Sequence, residues 1–156
     1  MPKRVVVTKL GGPEVLKLDN YELPNKLPET QVRIKQTSIG INYIDTYHRT
    51  GIYSLPLNLP FCIGLEAAGE IIEVGSSVRE FKVGDRVAYS FSPPLGAYCE
   101  IRDFESDKLI KLPDFISNDE AASILLQGMT VEYLFERLYK LKKNEKFLFH
   151  AAAGGV

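Results

Sequence analysis

The sequence predicts a mainly β protein with helices: a barrel or sandwich of short strands, followed by a helix and a strand of α/β type. Three observations predict it. As far as Pro113, short β-rich runs recur about every ten residues between turn signals. At Ser117 a capping-box pattern opens a stretch with helical apolar spacing. The last ten residues read Phe147-Leu148-Phe149-His150-Ala151-Ala152-Ala153-Gly154-Gly155-Val156. An apolar run followed by small residues and two glycines is how a nucleotide-binding strand enters its phosphate turn.

The elements follow in order. Residues 3–9 are rich in valine and form the first expected strand. Gly11-Gly12-Pro13 marks a turn, and 15–18 a second strand. Residues 31–35, Gln-Val-Arg-Ile-Lys, alternate polar and apolar, the period of a half-buried strand. Asn42 can cap a short helix over 43–49 that Gly51 ends. Pro56 and Pro60 then hold an extended loop. A β-branched run at 69–74 closes on Gly75-Ser76-Ser77. The Gly84-Asp85 turn leads into a strand ending at Tyr89, and 96–102 and 108–112 supply two more. Beyond Ser117-x-x-Glu120, Ala121, Ile124, Leu125, Val131, Leu134 and Leu138 keep helical spacing. Gly128 is expected to break or bend this helix, with Thr130 starting its second part. A charged link over 140–146 precedes a strand at 147–149. The change of character after Pro113 marks a change of domain type.

Composition excludes several function classes. The formal net charge of -1 gives no electrostatic reason to expect nucleic acid or an acidic membrane. No apolar run approaches the roughly 20 residues of a membrane span. The opening Met-Pro-Lys-Arg-Val-Val-Val-Thr-Lys is too short in apolar residues for a signal-peptide core, so a cytoplasmic location is the expectation. Cys62 and Cys99 stand far apart in sequence without CxxC spacing. A disulfide framework and a cysteine-rich zinc site are not expected, and both thiols read as small buried or half-buried hydrophobes.

Several segments occur together in a recognisable order: Gly11-Gly12-Pro13-Glu14-Val15-Leu16, Gly40-Ile41-Asn42-Tyr43-Ile44-Asp45-Thr46-Tyr47, Gly64-Leu65-Glu66-Ala67-Ala68-Gly69, Val83-Gly84-Asp85-Arg86-Val87, Gln127-Gly128-Met129-Thr130 and the terminal run from Phe149. On these the chain resembles the zinc-free quinone oxidoreductases (zeta-crystallin-like) of the medium-chain dehydrogenase/reductase superfamily. The resemblance implies a GroES-like, partly open β-barrel over 1–124. Over 125–156 it implies the first helix and strand of a truncated Rossmann domain. It further implies NAD(P)H-dependent reduction of quinones or conjugated enones, with NADPH as cofactor and NADH left open. Zinc-dependent relatives carry a cysteine where this chain has Asn42, and a His-Glu pair where it has Leu65-Glu66. Leucine supplies no donor and an asparagine amide is a poor ligand, so no metal is expected.

Without a Lewis acid, the protein's task is to hold the nicotinamide face against a flat, apolar substrate. By resemblance Asn42 lies at the nicotinamide and substrate end of the cleft; capping the following helix is compatible with that. Asp45 can act as an acid or orienting group, or as a first-turn dipole partner. Tyr47 and Tyr53 offer flat faces with hydroxyl donors. The catalytic candidates are therefore Asn42, Tyr53 and Asp45. By resemblance Asn42, Tyr47, Gln127 and Thr130 are cofactor-binding candidates, with Gly154, Gly155 and Val156 as the start of a pyrophosphate turn. His48 is expected on the helix surface, His150 packed within its strand, and Glu66 in a structural hydrogen bond. In the family most of the cofactor grip comes from the Rossmann domain that 125–156 only begins. The expectation is thus an N-terminal part inactive alone, self-associating through its uncovered C-terminal helix and strand. The competing expectation is a stand-alone GroES-like module that binds protein partners without catalysis.

Overall fold

The computed structural model describes residues 1–53, 58–90 and 95–156. Among them are eight strands: β1 (Lys3–Val7), β2 (Leu16–Asn20), β3 (Gln31–Gly40), β4 (Phe61–Cys62), β5 (Glu66–Val74), β6 (Arg86–Ser90), β7 (Ile101–Glu105) and β8 (Ile110–Lys111). Two helices accompany them, α1 (Tyr43–Thr50) and α2 (Asn118–Glu132). All pairings are antiparallel. A small sheet has the order β2-β1-β4, and a larger one β7-β3-β5-β6-β8. The expected mainly β class with helices is what the chain adopts. Pro56 lies outside the described residues.

The long β3–β5 pair carries the architecture. Along β3 the side chains of Val32, Ile34 and Gln36 turn inward at every second position. Its register with β5 shifts between Arg33 and Ile34 and again between Gln36 and Ser38. Such bulges bend and twist a strand pair. The core over it joins Val32, Ile34, Ala67, Ile71, Val87, Tyr89 and Phe104. Burying each such aliphatic or aromatic side chain contributes about 1.5–3 kcal/mol. Tyr89 stacks on Phe104 with ring centroids 4.2 Å apart, and its hydroxyl donates to Gln36 Oε1, so the one polar tip in this core is satisfied.

Several boundaries differ from expectation for identifiable reasons. β2 starts later than residue 15 because Pro13–Val15 form a tight helical turn. β6 begins at Arg86 directly after the expected Gly84-Asp85 turn, where the Asp85 N–H donates to the Lys82 carbonyl at 3.1 Å. The strand expected at 96–102 lies at Ile101–Glu105 instead. The N–H groups of Gly96 and Ala97 both donate to the Gly64 carbonyl, at 3.0 and 3.1 Å, and this anchors 96–97 outside the ladder.

Both helix starts are as expected. Asn42 caps α1, and Gly51 ends it in the left-handed conformation at φ 80°. At α2 the Ser117 hydroxyl accepts the Glu120 N–H at 3.2 Å, and Glu120 accepts the Ser117 N–H at 2.8 Å. The expected break at Gly128 does not occur. A side chain there would meet nothing within 4 Å, so no packing constraint opposes a continuous helix. Thr130 therefore starts no second helix; its hydroxyl donates back to the Leu126 carbonyl at 2.8 Å. The helix widens into a π-helical stretch, Tyr133–Leu138.

Residues 147–149 form no strand, because no neighbouring strand pairs with them among the described residues. Phe147 and Phe149 instead turn their rings to Phe135, at 5.0 and 6.3 Å. His150 is exposed, contrary to the expectation that it packs. No helix among the described residues is long and apolar enough to cross a membrane.

Candidate active site

Glu66 opens β5 and is 1% exposed. α2 reaches it because Ala121 and Ala122 pack on Ala68 and Ala88, small residues that let the helix lie close to the sheet. Gly40, at the end of β3, completes the approach. A Cβ there would stand 2.3 Å from the Ala122 carbonyl oxygen and 2.5 Å from Glu66 Oε2. Both Glu66 oxygens accept hydrogen bonds, Oε1 from the Leu126 N–H at 2.7 Å and Oε2 from Asn42 Nδ2 at 2.8 Å.

This bonding fixes a relay of amides. Because a Glu66 oxygen takes the Asn42 amino group, Asn42 Oδ1 must face the other way, and it accepts Gln127 Nε2 at 3.0 Å. Gln127 is then left with its oxygen. Oε1 is buried and has no hydrogen-bond partner among the described residues. A buried acceptor without a donor costs about 1–3 kcal/mol, and Gln127 Oε1 is the atom of the relay left with acceptor capacity. Gly155 lies against the same side chain, its Cβ position 3.6 Å from Gln127 Cγ, which brings the terminal glycines beside Gln127. Thr130 sits one turn further along α2, its hydroxyl occupied within the helix.

The second part of the site is α1. Asp45, 3% exposed, accepts the Asn42 N–H at 2.9 Å and the Tyr98 hydroxyl at 2.8 Å with Oδ2, and its Oδ1 has no partner. Burial pushes the Asp45 carboxyl above the usual carboxylate range, while the Asn42 N–H, the Tyr98 hydroxyl and His48 pull it back. His48, expected on the surface, is 5% exposed, because the helix turns Asp45 and His48 to the same inner face. Burial draws its imidazole below the ordinary value, opposed by Asp45, and Nδ1 has no hydrogen-bond partner. Burial, and then Asp45, hold the Tyr98 hydroxyl well above its ordinary value. On the outer side Tyr47 lies 5.3 Å from Tyr43 and 5.1 Å from Tyr53, an aromatic cluster of which Tyr43 and Tyr53 are exposed.

The structure thus brings Asn42, Gln127 and Gly155 together, places Asp45 against the backbone of Asn42, and groups Tyr47 with Tyr53. It does not give Thr130 a free hydroxyl. Tyr98 is a site residue that the sequence does not announce, and His48 lies on the inner face of α1 rather than on its surface. For His48 the three-residue spacing from Asp45 was the available signal; for Tyr98 there was none. Leu65 is buried and apolar, and among the described residues no three His, Cys, Asp or Glu side chains gather where a metal ion could sit. The donor set suits a neutral organic group. An amide N–H donor such as a nicotinamide carboxamide fits the unpaired Gln127 oxygen.

The alcohol dehydrogenase GroES-like domain matches residues 28–135. The quinone oxidoreductase of Pseudomonas aeruginosa is 48% identical over 156 residues, covering 100% of this chain and 47% of that protein. A 2-haloacrylate reductase of Burkholderia is 41% identical, with 100% and 47% covered. The crystal structure of the Pseudomonas syringae quinone oxidoreductase superposes with a TM-score of 0.92 at 46% identity, covering 99% of this chain and 47% of that one. The Escherichia coli quinone oxidoreductase complexed with NADPH gives 0.91 at 45% identity, covering 97% and 46%. The chain therefore spans about half the length of the relatives it matches. It belongs to the family of the alcohol dehydrogenase GroES-like domain, in the medium-chain dehydrogenase/reductase superfamily, where its relatives include quinone oxidoreductases.

Proposed function

We propose that this chain is the substrate-facing part of an NADPH-dependent, zinc-independent reductase of quinones or conjugated enones. The observation that carries the reading is the buried, unpaired Gln127 Oε1 at the end of the Glu66–Asn42–Gln127 relay. The NADPH complex of the Escherichia coli relative and the conjugated acid named for the Burkholderia reductase support it. Residues 1–124 hold the substrate end. Residues 125–156 begin the nucleotide-binding unit, and α2 joins the two.

When bound, the reduced nicotinamide supplies hydride to a carbon already made electrophilic by conjugation. This chain's residues bind and orient. Glu66 sets the direction of the Asn42 amide, and Asn42 sets that of Gln127. Gln127 Oε1 accepts a carboxamide N–H. The exposed Tyr53, backed by the half-buried Tyr47, receives a flat apolar ring. Asp45 holds the Asn42 N–H and the Tyr98 hydroxyl, and so fixes where α1 begins. Thr130 keeps the turn of α2 beside the cofactor closed. Gly154, Gly155 and Val156 open the pyrophosphate turn, where an absent side chain lets phosphate approach backbone N–H groups.

On this reading the 156 residues bind NADPH weakly and turn nothing over alone, since the remaining grip belongs to a protein of the relatives' length. The exposed Leu138, Phe147 and Leu148 then favour self-association, which sedimentation at rising concentration reads directly. The functional test is a chimera in which this chain replaces the matching segment of the Pseudomonas aeruginosa relative. Quinone-dependent NADPH oxidation, with KM for NADPH raised by Gln127→Leu, supports the proposal. A folded chimera that oxidises NADPH with Gln127→Leu as without it overturns the assignment of the site.

A further inference from the structure

Cys62 and Cys99 are separated by 36 intervening residues and meet in the fold. Cys62 pairs with Val6 of β1, and Cys99 bridges to Arg4 on the same edge of the same strand. Arg4 and Val6 are two residues apart, so both cysteines lie on one face of the pleat. Cys62 Sγ lies 3.5 Å from the carbonyl oxygen of Tyr98, the residue before Cys99, so the two cysteine side chains are neighbours. Gly96 touches both. Its carbonyl accepts the Cys99 thiol at 3.2 Å, and its Cβ position lies 3.8 Å from Cys62 Sγ. Both thiols are unbridged.

The surroundings make the pair unequal. Cys99 Sγ accepts the Gln36 amide at 3.3 Å. The Cys62 thiol, the Tyr21 hydroxyl and the nearby Arg102 guanidinium also favour its thiolate, and together they hold Cys99 below the usual thiol range against the effect of burial. Cys62 is held above that range, by its hydrogen bond to Cys99 and by burial. A cavity of about 350 Å³ is lined by both cysteines together with Arg4, Tyr21 and Arg102. It gives a small polar oxidant a route to the sulfurs, and the guanidinium groups favour an anion forming there.

We propose that Cys62 and Cys99 form a reversible redox pair, with Cys99 as the thiol attacked by a peroxide and Cys62 as the resolving thiol. In the first step the Cys99 thiolate attacks one oxygen of hydrogen peroxide. The S–O bond forms and the O–O bond breaks. Sulfur loses two electrons, and the departing hydroxide takes a proton to become water. In the second step the Cys62 sulfur attacks the sulfenic sulfur. The S–S bond forms and the S–O bond breaks, and hydroxide leaves with the Cys62 proton as water. A dithiol reductant reverses the bridge by thiol–disulfide exchange. The bridge joins β4 to the segment that carries Tyr98, the residue whose hydroxyl binds Asp45. The pair stands independently of the proposed reductase activity.

The test treats the purified chain with hydrogen peroxide, alkylates the remaining thiols and maps peptides by mass spectrometry without reduction. The expected result is one link within a chain between the Cys62 and Cys99 peptides, reversed by dithiothreitol. Cys62→Ser should accumulate a sulfenic acid on Cys99 that dimedone traps. Cys99→Ser should abolish the link and leave Cys62, which lacks the Gln36 donor, less labelled by dimedone than Cys99 is in Cys62→Ser. Two free thiols after oxidation, links only between chains, or equal dimedone labelling of both cysteines would each overturn the proposal. The wild-type mapping stands even if a serine variant folds poorly.

Discussion

Replacing Glu66 by glutamine should reverse the direction of an entire hydrogen-bond relay at small cost in stability. In the native site, one Glu66 oxygen takes the Leu126 N–H at 2.7 Å and the other takes Asn42 Nδ2 at 2.8 Å. A backbone N–H cannot turn, so it holds the single glutamine oxygen and leaves the new amino group facing Asn42. Asn42 answers by rotating its amide to present Oδ1. Its amino group then faces Gln127, which rotates in turn. Every bond is rebuilt, and the loss is that of a carboxylate acceptor exchanged for an amide, about 1–2 kcal/mol. For a chain of this size that lowers Tm by about 2–8 °C. The unpaired atom at the end of the relay is no longer the Gln127 oxygen but its amino group, which repels a carboxamide N–H. Glu66→Ala behaves differently. It strands the Leu126 N–H and Asn42 Nδ2, costing roughly 2–6 kcal/mol for two unpaired buried donors. Thermal and urea unfolding followed by circular dichroism and tyrosine fluorescence measure both, the chain having no tryptophan. Equal stability of the two variants, or a Glu66→Gln chain that binds NADPH as the wild type does, would refute the relay.

Two further predictions concern the frame of the site. His48 is held below its ordinary value, so the unfolded chain takes up a proton first on acidification. Its stabilisation is present above about pH 6.5 and is lost as pH falls through the lower folded value. His48→Gln should therefore flatten the loss of urea midpoint between about pH 7.5 and 5.5, by at most about 1.4 kcal/mol per pH unit. Gly40→Ala drives a methyl to 2.3 Å from the Ala122 carbonyl oxygen and should lower stability by about 1–3 kcal/mol. Gly128→Ala, with nothing within 4 Å, should raise it by about 0.5–1 kcal/mol, and the two unfolding midpoints should move in opposite directions.

What could be read from sequence was what local chemistry decides. Asn42, Gly51 and the Ser117–Glu120 pair mark helix ends through bonds to neighbours in the chain, and all four behave as expected. Strand 147–149 has the right residues, but a strand exists only beside a partner. The stretch 96–97 obeys the Gly64 carbonyl, which no local pattern announces. Gly128 carries a general cost in a helix, but its open surroundings let α2 run on. At the site, Asn42 and Gln127 were reachable by resemblance. Their bond spans 85 positions, and the bond of Tyr98 to Asp45 spans 53, so the relay and the buried carboxyl–hydroxyl contact became visible only in the fold.

The central claim is that the Asn42–Gln127 relay receives a nicotinamide carboxamide. Side-chain amide groups report on themselves in a nitrogen–proton correlation spectrum of the nitrogen-labelled chain. During an NADPH titration the account predicts that the Gln127 and Asn42 amide pairs shift together and approach saturation along one curve. Shifts gathered elsewhere on a folded chain, or none in either amide at millimolar NADPH, would contradict it.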